Sequence, residues 1–241
     1  MIELLRRLIG LEADVSYQRR PTGSEPEFRY VPGKVAVLLS APHGAVQTRE
    51  GGKKEEDEYT AGLARLIGEI TGAHVLYARR RSNTDPNWYP NAPYKAKLRE
   101  VVESVGIRFV LDLHGACERR EFGIAIGTIC GKTCPLHLPK IIGVLESHGF
   151  SEGKEHVQDR LDLDSRFTGA GVVGQETITR FVWEQLHVPV AQFEIHPSLR
   201  VIERREGASQ KSAFNGDPER IRRAIAALIE VVGVVSVQTP N

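Results

Sequence analysis

The chain has 241 residues, within the range of one large α/β domain, and its 41% hydrophobic and 26% charged content is globular rather than disordered. With 32 basic against 31 acidic residues the formal net charge is +1, so no global basic field argues for nucleic acid or an anionic membrane as partner. Three cysteines (Cys117, Cys130 and Cys134) are too few and too odd in number for a disulfide framework, which points to a reducing cytoplasm.

In chain order, Met1 to Gly10 is amphipathic, but Glu3, Arg6 and Arg7 interrupt its apolar stretch, unlike the core of a signal peptide. No apolar run is long enough to span a bilayer, so a soluble cytoplasmic protein is expected. Residues 11 to 33 read as a polar lead-in with an edge strand at Glu27 to Val31. Lys34 to Ser40 is a continuous apolar strand, as in a parallel sheet covered on both faces. A polar loop from Ala45 to Lys54 follows, and a helix is predicted to begin in the acidic run Glu55 to Glu58, with Gly72 ending it. Ala73 to Ala78 is a strand, 79 to 93 a turn-rich loop, 94 to 105 a helix and 107 to 113 another apolar strand. A strand at 121 to 129, helices at 136 to 148 and 175 to 186, and a strand at 188 to 195 come next. Asp217-Pro218 opens a last helix with Ile221, Ala224, Ile225, Leu228 and Ile229 on its apolar face. Strands alternating with helices give an α/β fold with a largely parallel sheet, as a single domain over 1–241.

Two of these strands end in histidine followed by glycine, at His43-Gly44 and His114-Gly115. Ligand crevices of open α/β sheets lie at the carboxyl ends of the strands, so both imidazoles are candidate metal ligands there. His74, His137, His148, His156 and His187 lack that setting. A third ligand is expected from Glu50, Glu55, Glu56, Asp57 or Glu58, with Asp57 first and Glu56 second. Asp112 shares a strand face with His114, and would either orient an imidazole or bond a loop amide. Glu194 interrupts the apolar strand Val190 to Ile195 near its carboxyl end. A carboxylate there needs a charge or metal beside it, and next to an activated water it would serve as general base. The ordinary alternative is an ion pair with a loop arginine. Arg79, Arg80, Arg81 and Arg200 flank the expected crevice, and guanidinium suits bidentate carboxylate recognition. Asn83, Asp85 and Asn87 could add hydrogen bonds, although Asp85-Pro86 is equally a turn former. Cys130-Gly-Lys-Thr-Cys134 has no second pair to complete a metal knuckle, and the segment lacks phosphate-loop spacing.

Ser40-Ala-Pro-His-Gly44, Glu56-Asp57 with Tyr59-Thr60, Asp112-Leu-His-Gly115 and Gln192-Phe-Glu-Ile195 together resemble the N-formylglutamate amidohydrolase family, in order across residues 34 to 205. That resemblance implies a three-layer α/β sandwich with a mixed, largely parallel sheet of the phosphorylase/hydrolase-like, zinc carboxypeptidase-like kind. It implies one zinc ion per chain on His43, His114 and either Asp57 or Glu56, with Glu194 as base. Two features depart from the carboxypeptidase pattern: position 46 is Val where a His-x-x-Glu pair would need an acid, and the Asn-Arg clamp has no match. The expected activity is zinc-dependent hydrolysis of a small anionic N-acyl amino acid, its carboxylate held by Arg81 or Arg200. A zinc peptidase acting on peptide or γ-glutamyl bonds is the alternative within the same chemistry. A non-catalytic anion-binding protein is the alternative outside it, and Glu194 counts against that reading.

Overall fold

Four apolar runs of the sequence become adjacent parallel strands, and everything else in the fold covers or extends them. The computed structural model describes residues 2–237; Met1 and residues 238–241 of the expected domain lie outside the described residues. In chain order the elements are α1 (Ile2–Ala13), β1 (Phe28–Val31), β2 (Val35–Ala41), β3 (Gln47–Arg49), β4 (Gly52–Lys54), α2 (Thr60–Thr71) and β5 (Ala73–Ala78). They continue with α3 (Pro93–Val105), β6 (Phe109–Gly115), β7 (Ile124–Gly127), α4 (Leu138–Ser147), β8 (Leu161–Leu163), α5 (Ile178–Leu186), β9 (Val190–Ile195) and α6 (Pro218–Ser236).

The main sheet has seven strands in the order β1-β5-β2-β6-β9-β7-β8. Strands β5, β2, β6 and β9 run parallel, and β7 and β8 are parallel to each other. β1 on one edge and the β7–β9 junction are antiparallel, so the sheet is mixed and mostly parallel. β3 and β4 form a separate hairpin.

Strand alternation then divides the core. Val37, Leu39, Phe109, Leu111, Leu113, Ala191 and Phe193 face a large core closed by α1, α2, α4 and α6. Leu38, Leu76, Val110 and Val190 face a smaller core under α3 and α5. Burying each such side chain contributes about 1.5–3 kcal/mol, enough that both faces must be covered. The result is a helix–sheet–helix sandwich. On the smaller face the apolar alternation gives way, towards the carboxyl ends, to Ser40, Asp112, His114, Gln192 and Glu194, all buried. That change of polarity on one sheet face is what positions the site.

Several boundaries differ from the sequence reading. The helix does not start in the acidic run: α2 begins at Thr60, after Tyr59 in a left-handed conformation (φ 64). Residues 55–58 form a connection pinned by the Asp57 amide, which donates to the His43 carbonyl at 2.8 Å. The polar loop at 45–54 holds the β3–β4 hairpin, turned at Gly51 with φ 82. The strand expected over 121–129 is only four residues long. It ends where Ile129 and Cys130 take positive φ and Asp164 accepts from the amides of Thr128 (2.6 Å) and Gly131 (3.2 Å). The short strand β8 has no strong alternation to announce it. No helix of the described residues is long and apolar enough to cross a membrane.

Candidate metal centre and active-site cleft

His43 follows β2 and His114 is the penultimate residue of β6, so two neighbouring parallel strands deliver both rings to one place. The glycines behind them are required by close packing. A Cβ at Gly44 would meet the Ala78 carbonyl oxygen at 2.5 Å, and one at Gly115 would meet the Arg200 guanidinium at 2.6 Å. Neither position has room for a side chain unless its neighbours shift.

The two rings lie edge to face, with centroids 4.8 Å apart. Each imidazole is held from behind. His43 Nε2 donates to Asp85 Oδ1 at 2.8 Å, and His114 Nε2 donates to Asp112 Oδ2 at 2.9 Å. Asp85 is fixed in turn by Arg49 Nε (2.8 Å) and the Asn87 amide (2.8 Å), and Asp112 by Ser40 Oγ (2.8 Å). A neutral imidazole that donates from Nε2 carries a lone pair on Nδ1. Both lone pairs consequently point into the same small space.

Asp57 completes that space. The Nδ1 atoms are 3.1 Å apart, and Asp57 Oδ2 lies 3.4 Å from each of them. Asp57 Oδ2 is buried with no hydrogen-bond donor, while Oδ1 is held by Lys54 Nζ at 2.6 Å. Three electron-rich atoms facing one another in a buried site repel unless a cation sits among them. A tetrahedral zinc shell of radius about 2.0–2.1 Å puts neighbouring ligand atoms about 3.3 Å apart, which these spacings meet. The donor set of two imidazoles and one carboxylate, each oriented by a second hydrogen bond, fits a catalytic zinc-type centre.

The electrostatics agree. Burial alone would depress the His114 pKa, but Asp112, Asp57 and Glu194 carry it well above the ordinary imidazole range. Burial would likewise raise Asp57, yet Lys54, His114 and His43 hold it well below the usual carboxylate range. Asp85 is also held low, burial being outweighed by His43, Arg49 and the Asn87 amide. The cluster attracts positive charge, whether as protons or as a metal ion.

Glu194 is the register partner of His114 on β9, on the same sheet face. Burial first of all raises its pKa, with Asp57 adding to the rise and His114 opposing it. Its Oε1 accepts from Gln192 Nε2 at 2.9 Å, and no arginine pairs with it among the described residues. His43, Asp57, His114 and Glu194 all line one cleft of about 510 Å³, whose far wall is formed by residues 166 to 177.

Other expected residues lie elsewhere. Glu56 is turned away from the histidines and accepts from the Ser209 amide (2.5 Å) and Ser209 Oγ (2.6 Å). Glu58 pairs with Arg204 at 2.9 Å, and Glu50 and Glu55 are exposed. Arg200 is buried and spent on backbone carbonyls, those of Ile195 (3.0 Å), Ala116 (3.1 Å) and Glu58. Arg81 does not line the cleft, and Arg79 and Arg80 pair with Asp14 and Glu25. The cations that do line it are Arg49, Lys54, Arg120 and Arg166. The sequence reading treats Asp85 as a turn former or hydrogen-bonding group; holding His43 is a role its Asx-Pro setting conceals. Lys54 and Arg120 carry no signal beyond lying in polar loops near a histidine.

No protein-family model matches the sequence, and no curated protein matches it. Solved structures do. N-formylglutamate amidohydrolase from Ralstonia eutropha JMP134 superposes with a TM-score of 0.60 at 15% identity, covering 87% of this chain and 98% of that one. The chain shares its fold. A bacteriophage poly-γ-glutamate hydrolase gives a TM-score of 0.52 at 13% identity, over 88% and 91% of the two chains. A candidate carboxypeptidase A from Shewanella denitrificans OS-217 gives 0.51 at 12%, over 97% of this chain and 67% of that one. The resemblance carried by the four sequence motifs is thus met at the level of fold, the mixed sheet included.

Proposed function

We propose that this chain is a zinc-dependent amidohydrolase that cleaves a small N-acyl amino acid, with His43, His114 and Asp57 as metal ligands and Glu194 as general base. The observation that carries it is the convergence of three unshared ligand atoms beside a buried glutamate in one cleft. A zinc ion bound there supplies a Lewis acid that acidifies water and polarises an amide carbonyl. Glu194, with its proton affinity raised by burial, accepts a proton from the attacking water. It then returns that proton to the leaving nitrogen as the carbon–nitrogen bond breaks, giving a carboxylic acid and an amine. Gln192 fixes one carboxylate oxygen of Glu194 so that the other is free for this exchange. The cleft's volume suits a small molecule, and its cationic lining favours an anionic one. The likeness to a poly-γ-glutamate hydrolase favours, as a second reading, γ-glutamyl or peptide bonds cut by the same apparatus.

The test is a panel of N-formyl and N-acetyl amino acids, dipeptides and γ-glutamyl amides, offered to zinc-loaded protein and to Glu194→Gln. The expected outcome is hydrolysis of at least one class, reduced by about 10²–10⁴-fold in the variant with zinc content unchanged. Undiminished turnover by Glu194→Gln would remove the base. Turnover of no panel member by the zinc-loaded protein would return the chain to the anion-binding reading.

A further inference from the structure

Four cationic side chains line the cleft, and three of them already have carboxylates. Arg49 is paired with Asp85 at 2.7 Å and Lys54 with Asp57 at 2.6 Å. Arg166 is 56% exposed and lies 3.7 Å from Glu121, a solvated pair of little energetic weight. Arg120 has no carboxylate or carbonyl partner for its side chain among the described residues. Its Nε is buried and without an acceptor. Its guanidinium carbon sits 4.8 Å over the ring of Phe167. Phe167 is itself gripped edge to face by buried Phe122, with centroids 5.8 Å apart and planes at 85°.

This packing orders the guanidinium without neutralising it. The aromatic ring covers a face, where arginine is weakly hydrated, and leaves the in-plane donors for a ligand. A planar fork held in this way matches the geometry of a carboxylate and offers a neutral amide only part of its donors. We propose that Arg120 reads the substrate's carboxylate and sets a preference for N-acyl amino acids bearing a free acid over their neutral amides. The assignment rests on the hydrolase reading for the kind of ligand, but its test is independent of turnover.

Calorimetric titration of the zinc-loaded protein, with Glu194→Gln as a common background so that neither ligand is turned over, with N-acetyl-L-alanine and with its carboxamide, N-acetyl-L-alaninamide, measures the preference directly. With Arg120 in place the protein should bind the acid about tenfold or more tightly over the amide, the size expected for a hydrogen-bonded charge pair. Arg120→Met keeps an unbranched side chain on Phe167 and should bring the preference to within about twofold. Arg120→Lys keeps the charge but loses the fork, and should retain part of it with the amide's affinity unmoved. Arg166→Met should leave the preference intact. Two outcomes overturn the assignment: equal binding of acid and amide with Arg120 in place, or full preference persisting in Arg120→Met and Arg120→Lys. If the preference behaves as expected and no amide is hydrolysed by the protein that retains Glu194, the hydrolase reading fails and Arg120 remains an anion reader.

Discussion

Among the buried carboxylates of this molecule, Glu12 and Asp57 resolve the cost of burial in opposite ways. Glu12, at the end of α1, is 0% exposed. Its oxygens accept from Tyr17 Oη (2.6 Å), the Tyr59 amide (2.9 Å) and the Gly62 amide (2.7 Å). It thereby caps α2, whose own N-cap residue offers no side-chain bond. Asp57 lies only two residues before Tyr59, is 3% exposed, and leaves Oδ2 without a hydrogen bond, 3.4 Å from each of two imidazole Nδ1 atoms. One site closes its hydrogen bonds within the chain. The other leaves an oxygen that a cation would satisfy, and it is this difference, more than burial, on which the proposed metal site rests.

Substitutions can break the comparison on either side. Glu12→Ala should have the largest effect on folding, since it orphans three donors at about 1 kcal/mol or more each. Chemical denaturation should show a loss of about 3 kcal/mol, with zinc affinity unchanged at protein concentrations that remain folded. A matching loss of zinc affinity would mean that the two carboxylates are not independent. Asp85→Asn acts on the other side. It weakens the acceptor that orients His43, and competition with a chromophoric chelator should register about 10–100-fold weaker zinc binding. Unchanged affinity would show that the His43–Asp85 bond is idle.

The smallest expected effect concerns a buried group with neither solution. The Cys134 thiol, 0% exposed, is pushed up by burial to about 12 from an ordinary value of 9.0. Between those values the unfolded chain releases the proton and the folded chain keeps it, so the unfolded state binds fewer protons and stability falls as pH rises. The slope attributable to this thiol approaches about 1.4 kcal/mol per pH unit. It should vanish in Cys134→Ala when denaturation curves at pH 8, 9 and 10 are compared. Equal slopes in the two proteins would mean that the thiol ionises in place.

Much of this arrangement was legible in the residues. Parallel strands covered on both faces are largely apolar runs, and the sequence alone places β2, β5, β6 and β9. The apolar face of α6 and its Asp217 cap were equally plain, with Asp217 Oδ1 accepting from the Glu219 amide at 2.9 Å. What stayed hidden depended on distant chain. Asp57 and Glu56 are neighbours of like chemistry, and only the Ser209 loop, 153 residues away, draws Glu56 aside. Arg200 flanks the crevice in sequence, but the short turn after β9 folds it back onto three carbonyls. Arg120 gains its meaning from Phe167, a residue that no local pattern connects to it.

Zinc titration of the metal-free protein, read by calorimetry and elemental analysis, bears most directly on the centre formed by His43, His114 and Asp57. The expected result is one tightly bound ion per chain in the intact protein and none retained after dialysis in the His43→Ala, His114→Ala double variant. Stoichiometric zinc in that folded double variant, or no zinc in the intact chain, would contradict it.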